Sequence, residues 1–345
     1  MSKIAIIVPY FGKLPSCFEC WWTSALYNSN IEFWMFTDNS FLKSEKNIKV
    51  EHISFENFKT YIQSIFDFEI NLDKPYKLCD YKPVYGLVFK DRLKDYDYWG
   101  YCDVDLIFGD IGSFITEKIL KSHDKIFVEA HISIFKNNYF MNSLFMNQGE
   151  YPEYNFKEAY STSEACYYDE FRGMELKCIR NRVNVYNDTS VYINVNPQKA
   201  FFELNGKKFI AVWENGKLYA EFEDGQRKEL MYIHICKRKM EYLDNNFSKE
   251  KNNERMLIVP GKVIADKEYI YTKDDLFRYK SGNKLYSFQW KINRFKLQLK
   301  MYSVRKILER NKRAKQIKNL KENLLKTHKH KVLDPIKVKS EFISK

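Results

Sequence analysis

Apolar segments of strand length alternate with helical segments along the first part of the chain. Strands are predicted over residues 3–10, 31–38 and 48–53, and helices over residues 18–27, 55–66 and 80–93. This order predicts the α/β class, with a mostly parallel central sheet flanked by helices. In such sheets ligands bind beyond the carboxyl ends of the strands, so polar residues at those ends are candidates for function.

Two carboxylates, Asp103 and Asp105, interrupt the next apolar segment, which extends from Tyr98 to Phe108. Because one residue separates them, both side chains point the same way in an extended chain. Carboxylates in apolar surroundings are costly without a cation or dense hydrogen bonding. The pair therefore predicts a site for Mg²⁺ or Mn²⁺, ions that in turn bind phosphate oxygens. A solvated turn or a helix cap is the alternative for so short a motif.

The second half of the chain has a different pattern. A short helix is predicted over residues 114–120 and a strand over 125–131, and residues 155–180 read as rich in loops. Residues 208–235 predict a three-stranded antiparallel meander, with Asn-Gly and Asp-Gly turns, that ends at His234. We expect a catalytic domain over residues 1–265, divided near residue 130, and a helical extension over residues 266–345.

The segment Asp103-Val104-Asp105 resembles the DxD motif of GT-A glycosyltransferases. The strand ends Val8-Pro9-Tyr10-Phe11 and Thr37-Asp38-Asn39 extend the resemblance to bacterial surface-polysaccharide (capsule or LPS type) glycosyltransferases. The resemblance implies a GT-A-like, Rossmann-like fold, a UDP-sugar donor and a divalent metal bound by Asp103 and Asp105. It also implies that Asp103 contacts the nucleotide, and that the nucleoside pocket includes Pro9, Tyr10, Phe11 and Asp38.

The same resemblance implies that His234 is a third metal ligand, because a histidine late in the GT-A domain often completes the metal site. Basic residues follow His234 in the chain, and Lys237 and Lys239 are the candidates to meet the diphosphate. The alternative is a core histidine beside a solvated basic turn. His131 likewise either contacts a sugar or belongs to the core.

A predicted helix begins at Asp80, with Lys77 shortly before it and Lys82 in its first turn. A helix N-terminus with two lysines is a natural place for a nucleotide phosphate, or for groups that orient the acid pair. Asp80 is alternatively a simple helix cap.

An inverting transferase also needs a carboxylate that deprotonates the acceptor hydroxyl. The segment from Ser163 to Phe171 offers Glu164, Asp169 and Glu170, and the last two lie between aromatic residues suited to stacking on a sugar. Each acid is alternatively surface charge, and a retaining enzyme needs no such base.

The positive charge of the chain belongs to its C-terminal part. The net charge is +12, with 57 basic and 45 acidic residues. Residues 281–345 hold 19 of the basic and 4 of the acidic residues, so the rest carries 38 basic and 41 acidic groups. A basic amphipathic helix in this extension predicts peripheral binding to the cytoplasmic face of the inner membrane. Docking on the protein's own body and nonspecific nucleic-acid binding are the alternatives, and no specific nucleic acid is expected.

These observations predict a cytoplasmic, membrane-associated enzyme that transfers a hexose or N-acetylhexosamine from a UDP-sugar to a growing surface polysaccharide or a lipid-linked oligosaccharide. The odd number of irregularly spaced cysteines, seven, agrees with a reducing compartment. A metal-dependent sugar nucleotidyltransferase or phosphohydrolase could use the same carboxylates. A noncatalytic protein that binds nucleic acid through the basic extension is the third possibility.

Overall fold

The computed structural model describes residues 2–196, 199–235, 240–242, 255–266, 271–280 and 284–327. Its strands are β1 Ile4–Pro9, β2 Ile31–Thr37, β3 Ile48–His52, β4 Tyr98–Cys102, β5 Leu106–Phe108, β6 Lys125–Ile126, β7 Ile132–Lys136, β8 Val185–Tyr186, β9 Tyr192–Asn194, β10 Phe202–Leu204, β11 Lys207–Glu214, β12 Lys217–Phe222, β13 Arg227–Leu230, β14 Tyr232–His234, β15 Glu241–Tyr242, β16 Arg255–Val259 and β17 Lys262–Ala265.

Its helices are α1 Phe18–Leu26, α2 Phe55–Gln63, α3 Leu78–Tyr81, α4 Tyr85–Val88, α5 Ile111–Phe114, α6 Glu117–Ser122, α7 Tyr139–Ser143, α8 Phe156–Tyr160, α9 Met174–Arg180, α10 Lys273–Phe277, α11 Lys284–Met301 and α12 Val304–Thr327. Parallel and antiparallel strands occur together with helices, so the fold is of the mixed α/β kind. Among the described residues, no helix has the length and apolar character needed to cross a bilayer.

The first sheet has the strand order β3-β2-β1-β4-β7-β6-β8. Its strands β3, β2, β1 and β4 are parallel, and β7 is antiparallel to both of its neighbours. Alternate residues of β1 enter two different cores: Ala5 and Ile7 pack on one face, and Ile4, Ile6 and Val8 on the other. Burial of both faces explains why the strand is a continuous apolar run.

Two predicted elements of the first half differ from the observed ones. The helix predicted over residues 80–93 is broken into α3, a 3-10 turn at Lys82–Val84, and α4. Pro83 lacks the N–H that a continuous helix would use. The strand predicted over residues 125–131 ends at Ile126, because Phe127 adopts a left-handed φ of 62°. His131 therefore precedes β7 instead of ending a strand.

The predicted meander is part of a larger, mostly antiparallel second sheet, ordered β13-β12-β11-β16-β17-β15, with β10 added to β11. The meander ends at Leu230, earlier than expected. His234 instead belongs to β14, which lies between β5 and β9 in a small third sheet. Because β5 directly follows the acid pair, this sheet joins the late histidine to Asp105.

The C-terminal residues divide into a part that packs on the second sheet and two long helices. Asp266 is buried against Arg255, and Leu276 of α10 packs with Ile210 and Leu257. The predicted boundary at residue 266 thus cuts through packed structure. Further along, α12 buries Ile317 in the core beside the first sheet. Its cations pair with acids of the central region: Lys306 and Arg310 with Glu164, Arg313 with Glu158, and Lys321 with Glu175.

Candidate metal centre

Asp103, Asp105 and His234 lie together, as the sequence predicts. Each of the three offers one ligand atom, and these atoms all lie within 4.8 Å of one another. Asp103 and Asp105 occupy the link between β4 and β5, and His234 ends β14, where it is paired with Leu106. The backbone N–H of Ile235 donates to the Asp105 carbonyl at 3.0 Å, which continues this pairing past the histidine. Backbone pairing therefore fixes the distance between the acid pair and the imidazole.

Asn194, which the sequence analysis missed, orients the imidazole of His234. The Nδ1 atom of His234 lies 3.1 Å from the side-chain oxygen of Asn194, and Nε2 lies 3.3 Å from Asp105. An amide oxygen only accepts, so Nδ1 carries the proton and Nε2 faces the carboxylates. Asn194 ends β9, the strand parallel to β14, and no local motif marks it.

The pKa values of the two histidines of the site are shifted in opposite directions. Burial lowers the pKa of His234, but the hydrogen bond with Asp105 and the charges of the acid pair outweigh burial and raise it. Burial, with the charges of His234 and Lys82, lowers the pKa of His131 to about 3. His131 is therefore neutral near pH 7, with its Nδ1 3.1 Å from the Tyr232 hydroxyl. Only His234 is drawn toward the acids.

The donor set fits a divalent cation. Two carboxylates and one imidazole suit Mn²⁺, and the carboxylates also suit Mg²⁺. Second-shell support is present, because a metal-binding histidine ordinarily donates its other N–H to an oxygen, as His234 does to Asn194. A cation held here would replace the direct contact between His234 and Asp105.

The three residues line a cavity of about 690 Å³. Pro9 and Tyr10 from the end of β1 also line it, as do Lys82, Asp169 and Glu170. The cavity therefore brings together residues that lie far apart in the sequence, from Ile7 to His234. Aromatic residues that the sequence analysis did not single out complete its walls: Tyr76, Tyr85, Tyr101 and Tyr167.

Lys82 lies inside the cavity and joins two acids. Its ammonium nitrogen is 2.7 Å from Asp103 and 3.6 Å from Asp169, and it donates to the Ala130 carbonyl at 2.9 Å. Burial lowers the pKa of Lys82, but the charges of Asp103 and Asp169 raise it well above its ordinary value. The lysine remains charged and contacts one member of the acid pair, Asp103.

Asp169 and Glu170 line the cavity with unusual pKa values. Burial raises the pKa of Asp169 well above its ordinary value, in spite of the charge of Lys82. The Asp169 Oδ2 atom has no hydrogen-bond partner among the described residues, although the side chain is only 2% exposed. Burial also raises the pKa of Glu170 to about 7. Both are available to a bound molecule.

Lys77, Asp80 and Glu164 have structural contacts and lie outside the cavity lining. Lys77 is buried, pairs with Asp80 at 2.7 Å and donates to the Ala159 and Glu164 carbonyls. Asp80 accepts from the backbone N–H groups of Cys166 and Tyr168, each at 2.8 Å. These contacts hold the loop that carries Asp169, so Lys77 does not reach a phosphate in the cavity and Asp80 is not a helix cap.

The carboxylate of Glu164 faces away from the cavity, toward Lys306 and Arg310 of α12. Glu164, predicted as a candidate base, is therefore placed in ion pairs with α12 and not among the residues that line the cavity.

Two residues predicted for the nucleoside pocket also lie elsewhere. The ring of Phe11 packs against Phe55 and Phe58, with centroids 5.5 Å apart, in the core. Asp38 is exposed and accepts a 2.8 Å hydrogen bond from the backbone N–H of Gly12. Neither lines the cavity. Lys237 and Lys239 lie outside the described residues.

Comparison with known proteins gives one family and a weak structural neighbour. Residues 6–267 match DUF6625, described as a family of unknown function. No curated protein is significantly similar to the chain. One similar structure is the apo form of the glycosyltransferase GlyE from Streptococcus pneumoniae TIGR4, which is 13% identical with a TM-score of 0.27. That similarity covers 55% of this chain and only 56% of GlyE, and it is too low to show a shared fold.

Proposed function

We propose that this chain, which belongs to the DUF6625 family, is a metal-dependent glycosyltransferase of GT-A type. It would move a hexose or N-acetylhexosamine from a UDP-sugar to a growing bacterial surface polysaccharide. One observation carries the proposal: Asp103, Asp105 and His234 bring their ligand atoms within 4.8 Å of one another in the lining of a cavity of about 690 Å³. The resemblance of the Asp103-Val104-Asp105 segment to the DxD motif supports the choice of reaction.

The protein's own residues divide the work of donor binding. Asp103, Asp105 and His234 would hold Mn²⁺ or Mg²⁺, and a metal bound there supplies positive charge to the departing nucleoside diphosphate. Lys82 holds Asp103 in place through its 2.7 Å contact. Pro9 and Tyr10 line the cavity at the end of β1, where a nucleoside would lie next to the diphosphate.

Glu170 is the best candidate for a general base if the reaction inverts the anomeric centre. A base works best when its pKa is near the working pH, and burial raises the pKa of Glu170 to about 7. The acceptor hydroxyl would give its proton to Glu170. The oxygen of the acceptor would then bond to the anomeric carbon of the donor sugar, as the bond from that carbon to the diphosphate breaks. The Oδ2 atom of Asp169, which makes no hydrogen bond among the described residues and lies 3.6 Å from Lys82, would hydrogen-bond a sugar hydroxyl.

A thermal-unfolding panel tests the proposal directly. The protein is heated with UDP-, GDP- and CMP-sugars, each with and without Mn²⁺, because a ligand that binds only the folded state raises its stability. We expect a UDP-sugar to raise the Tm only when Mn²⁺ is present, and Asp105→Asn to abolish that rise. Stabilisation by no nucleotide sugar would contradict the proposal.

Product analysis then separates the enzyme classes. Release of UDP together with sugar transfer, or slow donor hydrolysis without acceptor, is expected. Release of pyrophosphate from a nucleoside triphosphate and a sugar phosphate would instead identify a nucleotidyltransferase.

A further inference from the structure

Helix α11 carries an exposed apolar stripe. Phe288, Phe295 and Leu299 are 62%, 54% and 42% exposed, and Ile292 between them is partly exposed. The spacings of four, three and four residues place these four side chains on one face of the helix. Exposed aromatic and aliphatic groups in such a row are unusual for a surface that faces only water.

Positive charge borders the stripe. Lys291 and Lys296 are exposed and lie on either side of it. The sequence of α11 contains five basic residues and no acidic residue: Lys284, Lys291, Arg294, Lys296 and Lys300. An apolar face between cations complements a surface whose interior is apolar and whose outer layer is negative.

The neighbouring helix α12 shows where this surface belongs on the molecule. Its inner side packs on the protein through Ile317 and the ion pairs with Glu158, Glu164 and Glu175. Its first turns expose two further aliphatic residues, Val304 and Leu308, directly after the end of α11. Lys312, Lys315, Lys318 and Lys326 of α12 are exposed as well. One helix thus anchors the hairpin to the body while the other presents the apolar stripe.

We propose that α11 lies in the surface of an anionic lipid bilayer, with Phe288, Ile292, Phe295 and Leu299 inserted among the acyl chains and the lysines at the headgroups. The helix lies along the membrane plane, since the four apolar side chains that the structure describes on it form one stripe along its length. A basic groove for nucleic acid would not need the stripe, and contact between α11 and the α11 of a second copy would bring like charges together. Charge complementarity therefore favours anionic lipid.

Vesicle binding by the full chain tests this surface without any substrate. Protein is floated with vesicles of phosphatidylcholine alone or mixed with phosphatidylglycerol, at low and high salt. We expect binding to the anionic vesicles only, weakened by salt. The variant Phe288→Ser/Phe295→Ser/Leu299→Ser should bind roughly tenfold more weakly or worse, because the apolar area and the charge act together. Lys291→Gln/Lys296→Gln should weaken binding to a smaller degree.

Matched control variants exclude general effects. Phe41→Ser removes a 67% exposed aromatic residue from the loop between β2 and β3, and Lys90→Gln/Lys94→Gln removes two exposed charges far along the sequence from α11. Both should bind vesicles like the unmodified chain, and all variants should keep its Tm.

Three results would overturn the proposal. If the triple serine variant binds anionic vesicles as well as the unmodified chain does, the binding comes only from attraction between the basic residues and the negative vesicle surface. Absence of binding to anionic vesicles would exclude a lipid partner. A dimer, detected by light scattering and lost in the triple variant, together with no lipid binding, would identify a second copy as the partner. Because no sugar donor is used, none of these results bears on the proposed enzymatic activity.

Discussion

His234 Nε2 lies 3.3 Å from an oxygen of Asp105, and the pairing of β14 with β5 fixes that distance. We expect Asp103→Asn, Asp105→Asn and His234→Ala each to weaken Mn²⁺ binding by roughly tenfold or more, since each removes or weakens one of three protein ligands. Isothermal titration with Mn²⁺ alone measures this. Asp110→Asn is the matched control: Asp110 caps α5 by accepting from Ser113, and asparagine caps equally well. Unchanged Mn²⁺ affinity in all three variants would show that these residues do not bind the metal.

Asn194 is expected to matter for metal affinity although it is not itself a ligand. Asn194→Ala leaves the Nδ1–H of His234 without its acceptor and frees the imidazole to rotate. Loss of such a partner typically weakens metal binding by roughly 10- to 100-fold. Asn194→Asp retains an acceptor oxygen and should retain most of the affinity. Equal affinities for the two variants would show that orientation of the ring is unimportant.

Lys82 is expected to be needed for stability as well as for the site. Lys82→Ala leaves Asp169 buried without its cation, and because burial already raises the pKa of this carboxyl, it can take up a proton in place of the lost charge partner. We therefore expect a loss of about 1–3 kcal/mol, the cost of a buried polar group without its partner. Lys82→Ala/Asp169→Asn removes the buried acid and should recover much of that loss. Urea unfolding of both variants measures the difference. A single variant as stable as the double one would show that the contact is energetically minor. Lys90→Ala, at an exposed position, serves as the surface control.

The rate of sugar transfer should rise with pH through about 7 if Glu170 is the base. Its raised pKa keeps the carboxyl protonated below that value, and only the ionised form accepts a proton. Glu170→Gln should lower the rate by roughly a hundredfold or more and remove this limb of the pH profile. If the rate of the Glu170→Gln variant still rises with pH through about 7, a different group is the base.

Stability should change in the opposite direction over the same range. The pKa of Glu170 is about 7 in the folded protein, above the ordinary value of 4.5 for a glutamate side chain. Between these values the folded state binds more protons than the unfolded state, so the contribution of Glu170 to the free energy of unfolding decreases as pH rises. Comparison of urea midpoints for the unmodified chain and Glu170→Gln, at acidic and neutral pH, isolates this contribution.

Sequence patterns predicted those helices and strands that are determined by local signals in the sequence. The strand over 31–38 and the helix over 18–27 differ by one residue at one end from β2 and α1, because continuous apolar residues and helical spacing are local signals. The strand predicted through residue 131 was wrong beyond Ile126. There the backbone of Phe127 adopts a left-handed conformation that no residue type announces.

The site was predictable only where a chemical motif marks it. Asp103 and Asp105 stand out because acids interrupt an apolar strand. Glu164 and Lys77 have equally suggestive neighbours in sequence, yet both bind distant partners. Arg310 reaches Glu164 from α12, and the Ala159 carbonyl accepts from Lys77. Such long-range pairs leave no local trace, and the same is true of Asn194.

The third sheet also determines when the metal site can exist during synthesis. Asp103 and Asp105 leave the ribosome early, but β14 must follow before His234 can pair beside Leu106. Until then the nascent chain holds two carboxylates and Lys82, and an ammonium ion neutralises part of the charge that would attract a cation. A cation held by all three residues could therefore bind only after β14 has been synthesised. Such a centre would report that residues from both ends of the range 103–234 have come together.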